Sequence, residues 1–254
     1  MIKHYEGKLG IFDYDNEEFK IDELGFLNYI GKGKSVDLPK GCINTSYMFY
    51  SCDLAEEFTL GDFNTSNIKD MSCMFAGCKI PKGFSLGDKF DTSNVVSMEH
   101  MFSGSELPNG FSLGDHFDTS KVRYMEGMFW KCIIPEGFSL GDKFDTSNVV
   151  NMASMFYGCK FPEGFTLGDH FDTSNVEVIS WIFSFCKFPK GFTLGDKFNT
   201  SNAKIMSYMF ASSELSEGFS LGNKFYISNA IDKSFIFKDT QFHESVSLKI
   251  TTNK

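Results

Sequence analysis

Two sets of aspartates recur along the chain at a constant spacing, and we call each set of equivalent positions a column. Aspartate oxygens are among the ligands that calcium prefers. The first column contains Asp88, Asp115, Asp142, Asp169 and Asp196, and the second contains Asp91, Asp118, Asp145 and Asp172. Lysine follows the first column at positions 89, 143 and 197, which puts a positive charge where a calcium site would want none. The second column suits turn and helix-capping roles. The sequence therefore predicts no metal at either column.

Cysteine and histidine are the other residues that could bind a metal or act as nucleophiles. Five cysteines share one column of the repeat, namely Cys52, Cys78, Cys132, Cys159 and Cys186. Ser105 and Ser213 fill the same column in two further units, so the column predicts a small, buried packing site with reduced thiols. His116 and His170 share a column but lie two units apart, about 10 Å in a stacked repeat, which is too far for a shared metal.

The sequence contains no Ser-His-Asp, Cys-His or phosphate-loop arrangement. It therefore predicts no catalytic residue, no cofactor and no enzymatic activity. A formal net charge of −9 argues against binding to nucleic acid, which begins with clustered lysine and arginine. No apolar stretch of about 18 residues occurs, so we expect no membrane insertion. The N-terminus lacks an apolar leader, which predicts a cytoplasmic protein, or a cell-surface protein if a leader was removed.

The elements that position these residues are copies of one 27-residue unit. The dipeptide Met-Phe or Ile-Phe begins at Met48, Met74, Met101, Met128, Met155, Ile182, Met209 and Ile236. A full unit reads G-F-[ST]-L-G-D-[KH]-F-D-T-S-N-V-x-x-M-x-x-M-F-x-x-C-x-x-P-[KE]. One such unit cannot bury its own apolar side, whereas stacked units bury a continuous core.

Each unit has the residue pattern of one short strand and one short helix. The segment G-F-[ST]-L-G alternates apolar and hydroxyl residues, which is typical of a half-buried strand. The run D-T-S-N is typical of a helix N-cap. The apolar residues that follow have the spacing of one helical stripe, as in Val95, Met98, Met101 and Phe102. The predicted fold class is therefore an α/β repeat solenoid with one short strand and one short helix per unit.

The chain divides into three predicted regions. Residues 1–41 lie outside the repeat and predict a small β N-terminal cap. Residues 42–237 predict a solenoid of about seven to eight units. Residues 238–254 predict a C-terminal capping strand, because residues 245–250 alternate between polar and apolar.

On the predicted helix, two positions per unit point away from the apolar stripe and carry variable residues. Aromatic residues at these positions are Trp130, Tyr157, Trp181 and Tyr208, with Tyr47 and Tyr50 in the first unit. Tryptophan and tyrosine are enriched at binding hot spots. We hypothesise that the first four form a contiguous partner-binding patch and that the two tyrosines also bind a partner. The competing interpretation is that these side chains pack between neighbouring helices.

The repeat resembles the BspA-like group of leucine-rich-repeat surface proteins, including the related repeats of mycoplasma lipoproteins. The motif F-D-T-S-N-V-x-x-M-x-x-M-F-x-x-C is nearly intact at residues 90–105 and 144–159, and the resemblance covers residues 42–237. It implies a leucine-rich-repeat-like solenoid. It also implies a bacterial adhesion or protein–protein interaction scaffold rather than a catalyst.

Two alternatives to adhesion remain. The missing leader and the reduced cysteines favour a cytosolic inhibitor or immunity-type protein that binds and caps another protein. A regular solenoid can also self-associate end to end when a cap fails. In each case the expected partner is another protein of unknown identity, or a second copy of this chain.

Overall fold

A computed structural model describes residues 1–246 together with residues 248 and 250. Its regular elements are eight short strands: β1 (Ile2–Gly7), β2 (Gly10–Asp15), β3 (Phe19–Ile21), β4 (Leu27–Tyr29), β5 (Ser35–Val36), β6 (Thr59–Leu60), β7 (Glu214–Leu215) and β8 (Gln241–Phe242). They pair as β1–β2 and β3–β4, both antiparallel, and as β5–β6 and β7–β8, both parallel. The described residues form no helix. Accordingly, no helix in that part of the chain is long or apolar enough to cross a membrane.

The predicted helix in each unit, and with it the α/β solenoid class, is therefore wrong. The segment M-x-x-M-F is instead a series of turns, in which Met101 N–H donates to Met98 O at 3.2 Å. Alternate N–H groups leave the segment altogether: that of His100 donates to Glu126 O at 2.7 Å, in the next unit. An α-helix needs each of these donors for its own i→i−4 bonds, so this backbone cannot be helical.

The apolar stripe predicted for that helix nevertheless faces the core. The residues of the stripe in one unit are all fully buried: Val95, Met98, Met101 and Phe102. A spacing of three and four residues brings side chains to one side of a helix, and the structure shows that it does the same along a run of three-residue turns. The spacing therefore predicted burial correctly and secondary structure incorrectly.

Successive units stack in parallel register, but not through the predicted strand. One column of isolated parallel bridges joins Lys79 to Glu106, and a second joins Ser97 to Tyr124, and both columns continue through later units. In the segment G-F-[ST]-L-G and its first-unit equivalent at residues 57–61, pairing among the described residues is limited to β6 with β5 and to one bridge between Thr193 and Ser220. Glycines with positive φ lie at both ends of this segment, as at 83 (φ 80°) and 87 (φ 77°), so the backbone turns where a ladder would continue.

The D-T-S-N run forms hydrogen bonds between units rather than a helix N-cap. Asp91 Oδ1 accepts the N–H of Ser93 at 2.8 Å, which closes a local turn. Thr92 Oγ1 donates to Asp118 O in the next unit at 2.8 Å. Asn94 Nδ2 donates to Ser66 O in the preceding unit, also at 2.8 Å. Asp, Thr and Asn thus recur in most units because Asp closes the local turn and Thr and Asn donate to neighbouring units.

The core contains a continuous stack of phenylalanine rings, which accounts for eight of the 30 phenylalanines of the chain. One ring per unit contributes, and neighbouring centroids are 5.1–5.7 Å apart. The members are Phe49, Phe75, Phe102, Phe129, Phe156, Phe183, Phe210 and Phe237. Each ring therefore packs on the units before and after it, which links all eight units.

The two ends of the stack differ. At the N-terminal end the β3–β4 hairpin covers the first unit, since Tyr29 N–H donates to Met48 O at 2.7 Å and its ring contacts Phe49. At the C-terminal end β8 pairs with β7. The closing strand expected over residues 245–250 lies partly outside the described residues, and the described part of it contains no strand. The boundaries at residues 41 and 237 stay predictions.

We predict that Thr146→Val lowers the free energy of unfolding by about 1–3 kcal/mol, because it removes the buried hydroxyl that donates to Asp172 O. Urea denaturation followed by tryptophan fluorescence measures the change. Thr166→Val is the matched control, since Thr166 is exposed and should change stability by less than about 0.5 kcal/mol. Equal losses from the two variants would contradict a structural role for the threonine column.

Candidate functional site

Six aromatic side chains form a continuous surface strip that crosses five successive units. The structure brings together the four residues of the hypothesised patch and adds two that sequence reasoning missed. The strip, in chain order, is Trp130, Tyr157, Trp181, Phe185, Tyr208 and Phe235. We call it the aromatic strip.

Neighbouring rings of the aromatic strip contact one another directly. Trp130 stacks on Tyr157 with centroids 5.7 Å apart, and Tyr157 contacts Trp181 at 6.2 Å. Trp181 stacks on Tyr208 at 4.1 Å with an interplanar angle of 10°. Where rings stack in this way, their faces meet each other and their edges are left to meet solvent.

The edges of the strip carry polar groups and are partly exposed. Phe185 and Phe235 are 51% and 55% exposed, and the other four residues are half-buried. No described residue hydrogen-bonds the indole N–H groups of the two tryptophans or the hydroxyls of Tyr157 and Tyr208. The strip therefore combines an apolar body with unoccupied donors at its rim, as is common at interfaces.

Four residues of the strip have left-handed backbone conformations. The φ angles are 60° at Trp181, 57° at Phe185, 59° at Tyr208 and 58° at Phe235. An L-residue with a side chain pays about 1–2 kcal/mol for this conformation, whereas glycine does not. The equivalent position in the fourth unit is indeed Gly127, with φ 57°. Large aromatics thus stand where glycine would be the least strained residue.

The two missed residues have different explanations. Phe235 lies in the same column as Trp181 and Tyr208, one unit further along the chain, so extending the column to the eighth unit would have found it. Phe185 lies in a column that a helix would not turn outward. Phe185 is exposed because its own backbone is left-handed, and an α-helix contains no left-handed residue.

Tyr47 and Tyr50 do not belong to the aromatic strip. Their rings contact each other at 5.5 Å, and Tyr47 also contacts Phe26 of the N-terminal region at 4.6 Å. The intervening units carry small or polar residues in these columns, among them Ala76 and Ser103. A hydrogen bond to Cys73 raises the pKa of Tyr47 to about 12. The six residues proposed from sequence therefore form two separate clusters.

Lysines flank the aromatic strip at both ends. Lys131 Nζ lies 4.4 Å from the centroid of the Trp130 ring, and Lys238 Nζ lies 5.4 Å from that of Phe235. Such cation–π contacts contribute about 0.5–1 kcal/mol at exposed sites. Beside the strip, Lys187 pairs with Glu214 at 2.7 Å across two units. The rim of the strip is thus charged while its centre is aromatic.

The cysteine column supplies hydrogen-bond donors inside the stack. Cys159 Sγ donates to Phe129 O at 3.0 Å, and Cys186 Sγ donates to Phe156 O at 3.0 Å. Ser213 Oγ makes the same bond to Phe183 O at 2.6 Å, which explains why serine replaces cysteine there. Burial raises the pKa of Cys159 to about 12. These thiols are therefore protonated donors at neutral pH, and all seven cysteines are unpaired.

The aspartate and histidine columns do not converge on a site. Asp62, which begins the first aspartate column, pairs with Lys89 of the next unit at 2.7 Å. Within the described residues, no group of three His, Cys, Asp or Glu side chains is placed to hold a metal ion. The aspartates of the second column accept backbone N–H groups, as Asp91 does.

A family model described as "Mycoplasma protein of unknown function, DUF285" matches residues 43–138 and again residues 136–249. The two matches together span nearly the whole repeat region. No curated protein and no solved structure gives a match to the chain. The mycoplasma part of the resemblance is thus confirmed, whereas the BspA-like leucine-rich-repeat assignment stays a prediction.

We predict that the protein loses stability above about pH 8.5, the ordinary pKa of a thiol. The raised pKa of buried Cys159 favours the folded state fully below that pH, and this contribution is lost as pH rises towards about 12. Each such thiol lowers the free energy of unfolding by about 1.4 kcal/mol per pH unit. Cys159→Ser keeps a donor without a titrating thiol, so urea denaturation should show a shallower alkaline slope. An unchanged slope would contradict the assignment.

Proposed function

The chain belongs to the DUF285 family of Mycoplasma proteins of unknown function, and on that premise we propose that it is a non-catalytic protein-binding scaffold that contacts its partner through the aromatic strip. More specifically, we propose that it is an adhesion protein at the bacterial surface. The observation that supports the proposal most is that half-buried Trp and Tyr side chains run unbroken across four units, and that Phe235 extends the strip to a fifth.

The composition of the strip favours protein recognition. Trp and Tyr bury large areas with few rotatable bonds, and they dominate binding hot spots. The rings of Trp181 and Tyr208 already support each other, so a partner would find them ordered before it binds. Little side-chain entropy would then be lost on association.

The left-handed backbone of the strip is held in place by hydrogen bonds to its neighbours. Strained residues persist where the surrounding structure holds them, and they concentrate at functional sites. At Trp181 the backbone is held on both sides, because its N–H donates to Ser207 O and its carbonyl accepts Ser184 N–H. The same column is left-handed in every unit, at Cys73 and His100 among others, so the turns of the stack require the conformation and the strip makes use of it.

The polar repeat residues support a non-catalytic role. The recurring threonines and asparagines are occupied by hydrogen bonds between units, as Thr146 and Asn148 are. The buried cysteines donate to carbonyls in the same way. Groups that recur and are occupied in most units suit a scaffold better than a reaction centre.

The unpaired thiols favour a second candidate function, a cytosolic inhibitor or immunity-type protein that caps another protein through the same strip. Free cysteines are typical of reducing compartments, and all seven are free here. Labelling intact native cells with a membrane-impermeant biotin reagent separates the candidates. Labelled protein supports surface adhesion, and protein that is protected until lysis supports the cytosolic inhibitor.

We predict that the double variant Trp130→Ala/Trp181→Ala loses capture of the partner from native host extract by at least tenfold, since hot-spot truncations cost about 2 kcal/mol or more each. Quantitative mass spectrometry of the captured proteins measures the loss. The melting temperature should fall by no more than about 4 °C, because stacked aromatic pairs contribute about 0.5–1.5 kcal/mol.

Tyr124→Ala is the matched control, because Tyr124 is an exposed aromatic on the same unit as Trp130 with no ring contact to the strip. It should capture the same proteins as the wild type. Unchanged capture by the double variant, or a collapse of its stability, would reject the strip as the binding surface and favour the packing interpretation.

A further inference from the structure

Most backbone hydrogen bonds between neighbouring units run in one direction along the stack, although some donors outside the M-x-x-M-F segment point the other way, as Arg123 N–H does to Val96 O. In each of the first seven units, four alternate backbone N–H groups of the M-x-x-M-F segment donate to carbonyls of the following unit. In the third unit the donors are Met98, His100, Phe102 and Gly104, at N···O distances of 2.6–2.9 Å. Seven consecutive junctions repeat this arrangement with no reversal at these positions. All of these peptide dipoles therefore point the same way, and aligned peptide dipoles sum.

The last unit presents the same donors without acceptors. By register they are the N–H groups of Lys233, Phe235, Phe237 and Asp239, and none of the described residues accepts a hydrogen bond from them. Side chains near these donors are exposed to solvent, and Ile231, for example, is 85% exposed. The C-terminal end of the stack is thus a row of backbone donors at the positive end of the summed dipole. A row of unpaired backbone groups is a template for pairing with another chain.

The opposite end of the molecule has complementary properties. Strand β1 pairs only with β2 among the described residues, so its outer edge is free to offer carbonyl oxygens. The hairpin carries exposed apolar side chains, Ile2 at 66% and Ile11 at 62%. Residues 1–18 contain five carboxylate side chains and two lysines. This end is therefore acidic, apolar at its surface and able to accept hydrogen bonds.

We propose that the protein self-associates head to tail, with the β1 edge of one copy docking on the donor row at residues 233–239 of another. The acidic hairpin meets the positive end of the dipoles, and β1 carbonyls accept the donors that the next unit would otherwise use. The contact joins two different surfaces, so it is heterologous and leaves one free end on each chain. This inference does not depend on the proposed function, although Phe235 contributes its ring to the aromatic strip and its N–H to the donor row.

Sedimentation equilibrium or light scattering over protein concentrations up to about 1 mM tests the proposal. We expect the average mass of the full chain to rise with concentration. Lys233→Pro removes one donor, and the extended Asp232 before it accommodates proline, since Asp232 forms a parallel bridge to Ile205. It should weaken association about three- to tenfold, whereas the control Lys233→Ala keeps the N–H and should match the wild type.

Blocking the ends separately gives the decisive experiment. The tail variant Ile231→Glu/Lys233→Pro and the head variant Ile2→Lys/Ile11→Lys should each be monomeric alone and should form dimers when mixed. Ile133→Lys is the control for the added charge, because Ile133 is 59% exposed in the middle of the stack, and it should associate like the wild type. Circular dichroism checks that each variant is folded.

The proposal is overturned if the wild type stays monomeric over the whole range. It is also overturned if either blocked variant still dimerises alone, because that result requires a contact between identical surfaces. Failure of Trp130→Ala/Trp181→Ala to lose its partner would bear only on the strip, since those residues lie away from both ends.

Discussion

Alternate backbone N–H groups of the M-x-x-M-F segment donate to the following unit, and this constraint governs the rest of the structure. A residue such as His100 cannot both donate to Glu126 in the next unit and complete an i→i−4 bond in its own. The segment therefore becomes a run of turns. Two residues per unit must adopt positive φ to keep the alternate donors aimed along the stack, as His100 and Gly104 do.

Side chains add hydrogen bonds and packing contacts to the backbone bonds between units. Each turn leaves polar groups that a neighbouring unit must satisfy, and Thr92, Asn94 and Ser105 donate to carbonyls of adjacent units. The phenylalanine stack passes through the same junctions. A single unit can form none of these contacts, so stability resides in the interfaces between neighbours. Identity of residues across units follows from this, because each buried column has one geometry to satisfy.

Buried columns vary among apolar or small residues, as at Ile80 and Phe161, whereas solvent-facing columns vary in chemical class, and there the scaffold and the aromatic strip share positions. Trp181 and Tyr208 occupy left-handed positions that the turns require. The same backbone constraint that removes the helix thus turns these side chains outward. At the end of the stack the N–H groups of Phe235 and Phe237 have no acceptor among the described residues. The proposed recognition along the side and the proposed pairing at the end would both derive from one hydrogen-bond pattern.

The sequence by itself determined the repeat, its register and which side chains are buried, because these depend on apolar residues recurring in fixed columns. Val95, Met98 and Met101 were placed in the core correctly for that reason. It also identified four of the six residues of the strip, since Trp and Tyr stand out in variable columns.

Only the tertiary structure decided the backbone conformation, the roles of the D-T-S-N run and the cysteine column, and the membership of Phe185 in the strip. A local pattern of three- and four-residue spacings is the same for a helix and for consecutive turns. The two differ in where the N–H groups find acceptors, and the acceptor of His100 lies 26 residues along the chain. No local pattern specifies a partner at that distance, because it exists only once the next unit has stacked.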